Sequence, residues 1–306
     1  MPLSLSAPVI LFASLAAGVS LLAAPQARSD VRRTVYVTAT DQAGRDVSDL
    51  VPADLTVKEG GKARQIVRVE PSRARLKIAL AVDQMFSPDG VIRRAALGFL
   101  QHFGGSADMA LYVMGRRNEK RVDYTTDLLP FISAVNAFPA SPQLSGDVVG
   151  ALFEIAKDQH ALEGRRVIVT LAPEIPQLSS VTANGVLDQL RDNGVVLYAA
   201  TLVGLSTSGG SLTEAPATRL EGGDLTTQME GDKVLNDGTK QSGGLRVPSG
   251  RSEGFQAALD RIAGDLQHQY AVTYVIAAGS KSDGRLSIDA KRKGLTVRGP
   301  RQVPKI

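Results

Sequence analysis

Asp83 closes an apolar run, Leu76 to Val82, and Ser87 follows four residues later. Seven apolar-rich residues are too few for a core helix and read as a buried strand. Ser87-Pro88 then starts a helix, with Ser87 as N-cap and Pro88 at the first helical position. A carboxylate at the junction of strand and helix lies at the mouth of an α/β sheet, where such folds bind ligands. Other chemistry is hard to find. No Ser-x-x-Lys or phosphate-loop motif occurs in the sequence. His102, His160 and His268 are far apart and lack HExxH spacing. The chain has no cysteine, which excludes disulfides, thiol catalysis and zinc–cysteine sites. The expectation is therefore a non-enzyme.

The elements that position Asp83 alternate between strand and helix, which predicts a mostly parallel sheet covered by helices. Strands are expected at Ala107–Met114, Arg166–Leu171 and Val195–Val203, with a short antiparallel edge at Lys120–Tyr124. Helices are expected at Asp127–Phe138, Ser145–Asp158, Val181–Asn193 and Ser252–Gln269, the last carrying an apolar stripe through Phe255, Leu259, Ile262 and Leu266. Residues 204–250, rich in Gly, Ser and Thr with little periodicity, read as a long flexible loop. Residues 33–72 and 270–301 read as β structure. Val35, Val37 and Ala39 alternate with Tyr36, Thr38 and Thr40, and Gly60-Gly61 marks a hairpin. The two stretches are expected to form one small β-sandwich-like module, with an α/β domain at 75–269 inserted between them.

With 43% hydrophobic and 22% charged residues over 306 positions, the chain is globular and long enough for both units. Its net charge of +4 is mildly basic. The Arg and Lys residues are scattered and no aromatic or glycine-rich motif accompanies them, which argues against a nucleic-acid partner. Residues 1–27 carry no charged side chain, and Ala7 to Ala24 is apolar. This reads as a signal peptide for export to the periplasm or beyond. An uncleaved anchor is the rival and the one route to a membrane.

The run Asp83-Gln84-Met85-Phe86-Ser87 resembles the Asp-x-Ser-x-Ser loop of von Willebrand factor type A domains, with Met85 in place of the first serine. The segments "D-L-T-V-K-E-G-G-K" and Lys293-Gly294-Leu295-Thr296-Val297-Arg298 resemble the flanking module of the von Willebrand A-related proteins of Acidobacteria. This resemblance implies a Rossmann-like α/β fold and an adhesion site in which three loops hold Mg²⁺ or Mn²⁺. Asp83 and Ser87 match the first loop. In the second, Gly146 stands at the threonine position, with Ser145 one residue off and Asp147 beside it as a first-turn charge. In the third, Pro173 replaces the aspartate and Glu174 follows. A thioether is a poor ligand for a hard cation. The expectation is thus a degenerate metal site and no cofactor, with Mg²⁺ or Mn²⁺ as the alternative. Asp83, Met85, Phe86, Ser87, Ser145, Asp147 and Glu174 would form a contact surface for a protein partner. The remaining alternative is an unrecognised enzyme.

Overall fold

The computed structural model describes residues 30–83, 90–115, 117–138, 146–174, 179–203 and 224–306, with side chains from residue 229 in the last stretch. The expected leader, Met85, Phe86, Ser87, Ser145 and the first part of the expected loop lie outside the described residues. In chain order the elements are β1 (Val31–Thr40), β2 (Leu55–Glu59), β3 (Lys62–Pro71), β4 (Leu76–Asp83), α1 (Val91–Gln101), β5 (Ala107–Met114), β6 (Glu119–Thr125), α2 (Leu129–Asn136) and α3 (Val148–Asp158). There follow β7 (Arg165–Pro173), α4 (Ala183–Asp192), β8 (Val196–Leu202), α5 (Asp224–Lys233), α6 (Thr239–Ser242), β9 (Arg246–Ser249), α7 (Gly254–Gln267), β10 (Tyr270–Ile276), β11 (Leu286–Ala290) and β12 (Thr296–Arg298).

One six-stranded sheet has the order β6-β5-β4-β7-β8-β9. All its pairings are parallel except β5 with β6. Strand β4 is buried on both faces, which is why its sequence is a continuous apolar run. Ile78, Leu80 and Val82 pack against α1, α2 and α7, whereas Ala79 and Ala81 pack against α3 and α4. The strand order changes direction between β4 and β7, so the carboxyl ends of these two strands flank the natural ligand crevice.

The other six-stranded sheet has the order β11-β2-β3-β10-β1-β12 and interleaves strands from both ends of the chain. Gly60 and Gly61, at φ 59° and 74°, make the two-residue turn between β2 and β3 that left-handed backbone favours. Glu59 is fully buried and held by Arg33 at 2.7 Å and the Tyr274 hydroxyl at 2.6 Å.

Two expectations need correction. The N-cap of α1 is Gly90, at φ 65°, in place of the expected Ser87. The expected loop at 204–250 is helical from Asp224, turns through a π-helical segment at Val234–Gly238, and ends in β9. Val234 and Leu235 are buried against the α3/α4 face. Gly244 is packed so closely on β8 that an added Cβ would lie 2.7 Å from the Leu197 carbonyl carbon.

The two sheets meet through a polar joint. Asp265 of α7 accepts from Tyr198 of β8 at 2.5 Å and from Thr38 of β1 at 2.9 Å, and it pairs with Arg298 of β12. Gln269 donates to the Tyr198 oxygen at 2.9 Å and accepts from Arg165. Burial and the adjacent Asp265 carboxylate push the Tyr198 phenol far above its ordinary pKa, so it stays a donor. Removing Asp265 leaves buried donors unsatisfied. Asp265→Ala is expected to lower stability by about 2–4 kcal/mol, read as a lower urea midpoint.

Candidate functional site

The site is the crevice at the carboxyl ends of β4 and β7. Asp83, the last residue of β4, is 1% exposed. Such a buried carboxylate needs a donor close by. The Gly146 amide supplies one at 3.2 Å. Gly146 can be nothing else: a Cβ there would lie 2.6 Å from the Met114 carbonyl carbon and collide with the Gly115 backbone. The position that the resemblance assigns to a ligating threonine therefore offers an N–H, a donor, to Asp83.

Asp147 caps α3, accepting from the Gly150 amide at 2.8 Å. Its other oxygen accepts from Ser179 at 3.0 Å, and its carbonyl accepts from Asn118 at 3.3 Å. Asp147 thus ties the loop after β7 to the start of α3 and to the turn before β6.

Glu174 follows β7, and its amide donates to the Leu202 carbonyl at 3.0 Å. Its carboxylate pairs with Arg246 of β9, which also lies 3.7 Å from Asp232. Strand β8 separates β7 from β9, and β4 lies on the opposite side of β7. Glu174 is accordingly drawn away from Asp83. It and Arg246 instead line an open groove of about 800 Å³ against β11 and β12.

Asp83 and Asp147 are therefore brought together through Gly146, while Glu174 is not part of that group. Met85, Phe86, Ser87 and Ser145 lie outside the described residues. Among the described residues no group of three or more His, Cys, Asp or Glu is placed to hold a metal ion. The described part of the crevice holds two carboxylates, Asp83 on the Gly146 amide and Asp147 on the Gly150 amide and the Ser179 hydroxyl. The histidines are elsewhere and apart: His102 with Asp260 at 3.0 Å, His160 with Asn193 at 2.8 Å, His268 with the Gly264 carbonyl at 2.7 Å.

Sequence reasoning missed Gly146, Ser179 and Arg246 as site residues. A glycine directly before a capping aspartate is a signal that could have found the first. Arg246 had none, since it sits in the stretch taken for a loop.

Two substitutions read this geometry. Gly146→Thr is expected to destabilise by about 1–3 kcal/mol through overpacking on β5. Asp147→Ala is expected to cost about 1 kcal/mol as a lost N-cap. Chemical denaturation of both variants checks the order.

No protein-family model matches the sequence, and no curated protein matches it. Solved structures similar in fold include an aerotolerance-related membrane protein from Bacteroides fragilis NCTC 9343 carrying multiple mutations to serine. It has TM-score 0.42 and 15% identity, covering 62% of this chain and 98% of that one. The SpRpn10 VWA domain has TM-score 0.40 and 10% identity, covering 61% and 95%. Proximal thread matrix protein 1 of the mussel byssus, with a zinc-occupied MIDAS motif, has TM-score 0.46 and 11% identity, covering 69% of this chain and 49% of that one. The α/β unit itself has a mostly parallel sheet, helices on both faces and an aspartate closing its first strand.

Proposed function

We propose that this chain is an exported, non-enzymatic protein-interaction module that engages a protein partner at the top of the α/β sheet without a metal ion. The observation that carries the reading is the Asp83–Gly146 bond. That bond engages one Asp83 oxygen with the backbone, and residue 146 is closed to any side chain that could supply a second ligand. The contact surface centres on the crevice rim, with Asp147 and Glu174, and with Met85 and Phe86 as apolar contacts in the loop after Asp83. The apolar segment at 7–24 supports export. The N- and C-terminal strands serve as a sandwich-like frame for the inserted α/β domain. A bridge between Arg285 and Gln302 supports this by bringing the two ends of that sheet together.

Thermal unfolding of the purified chain, first in EDTA and then in millimolar Mg²⁺ or Mn²⁺, tests metal independence. The midpoint is expected to stay put in wild type and in Asp83→Ala, because a ligand of the native state must raise stability. A wild-type rise that Asp83→Ala abolishes would show a metal bound through Asp83 and replace this reading with metal-dependent adhesion. A photo-crosslinker at Phe86 is expected to capture a partner equally well with and without EDTA. Equal capture from a control position at Lys293 would refute the assigned face.

A further inference from the structure

At the opposite end of the α/β sheet, a cleft of about 290 Å³ lies between β1, the start of β7 and the end of α4. Arg33, Arg165, Arg166 and Arg191 all line it, and no Asp or Glu does. Three of the four are largely removed from water: Arg165 is 5% exposed, and the side chains of Arg191 and Arg33 are 13% and 14% exposed.

Their charges are not equally answered. Arg33 pairs with Glu59 at 2.7 Å, and Arg191 pairs with Asp188 at 2.6 Å and Asp192 at 2.8 Å. Arg165 hydrogen-bonds only to neutral groups, the Ser72 hydroxyl and the Leu266 carbonyl, each at 3.2 Å, and the Gln269 side-chain oxygen, with the Tyr36 ring at 4.7 Å; the Asp265 carboxylate, which pairs with Arg298, acts on it through space. Arg166 donates to the His160 carbonyl at 3.1 Å, and its buried Nε has no hydrogen-bond partner. Backbone carbonyls and an amide oxygen bring only partial charge; they leave Arg166 without a counter-ion, while Arg165 shares the Asp265 carboxylate with Arg298. Burying a cation this way is costly unless an anion joins it. Burial also holds the pKa of both Arg165 and Arg166 below the ordinary guanidinium value.

We infer that this arginine cleft binds a phosphoryl dianion, either free phosphate or the terminal phosphate of a small phosphomonoester. A guanidinium presents its donors in a planar fork matched to phosphate oxygens. A tetrahedral dianion can accept from several such forks at once, whereas a monocarboxylate satisfies one or two. The volume suits a phosphate with a short carbon skeleton and excludes a dinucleotide. This site is separate from the crevice at Asp83 and does not depend on the function proposed there.

The test is calorimetric titration and thermal unfolding of the full chain with inorganic phosphate or glycerol 3-phosphate, against chloride at matched ionic strength. The expected result is saturable binding and a rising unfolding midpoint. Affinity is expected to fall roughly tenfold or more in Arg166→Gln, the loss of one charge-assisted hydrogen bond. Tighter binding of the ester identifies a phosphomonoester site; tighter binding of inorganic phosphate identifies a free-phosphate site. No saturable binding, or equal binding by wild type and Arg166→Gln, overturns the inference. Should Arg166→Gln fail to fold, Arg191→Gln is read by the same criteria, with Arg121→Gln on exposed β6 as a control expected to bind like wild type.

Discussion

The structure depends on the buried polar joint at Asp265. This one carboxylate of α7 receives hydrogen bonds from β8, β1 and β12, that is, from both sheets. Gln269, at the start of the return into β10, adds Tyr198 and Arg165 to the same network. Apolar packing alone would let two sheets slide, because the hydrophobic effect has no direction. Hydrogen bonds with fixed donors and acceptors choose one arrangement, and in a low-dielectric interior each unmade bond is costly. The joint thus sets where the interleaved β strands sit against the α/β sheet. The amino ends of the strands carry both the contacts between the units and the arginine cleft.

The fold was largely legible because its signals are local. A strand buried on both faces must be apolar throughout, and Leu76–Val82, Ala107–Met114 and Val195–Val203 all read that way. The Gly-Gly hairpin and the amphipathic stripe of α7 are equally local. What failed was non-local. Residues 224–250 show little periodicity, and their order comes from two buried side chains, Val234 and Leu235, and from Gly244 lying flush on β8. No window of sequence contains that partner surface.

The site was half legible for the same reason. An aspartate ending an apolar strand is visible in the sequence, and so is an aspartate before a helix. That Gly146 is pinned by the backbone of β5, and so turns an amide toward Asp83, depends on a strand some thirty residues earlier. That Glu174 is claimed by Arg246 depends on β9, which the sequence did not declare. Residue types could be read; the pairing that decides their use could not.

Buried charge is handled in opposite ways at the two ends of the sheet. At the carboxyl end the negative charge of Asp83 is met by the Gly146 amide of the protein's own backbone. At the amino end Arg166 is met by a carbonyl oxygen, which solvates a guanidinium without neutralising it, and Arg165 has only a share of the Asp265 carboxylate that pairs with Arg298. Stability does not account for this choice, since apolar side chains of similar volume in such positions often stabilise a fold as well or better. Capping the carbonyl ends of α7 and of the turn after α3 explains one or two donors of each guanidinium. It does not explain an unpartnered Nε or a cleft of four arginines without a carboxylate. Those features make sense when a negative charge completes the site from outside the chain.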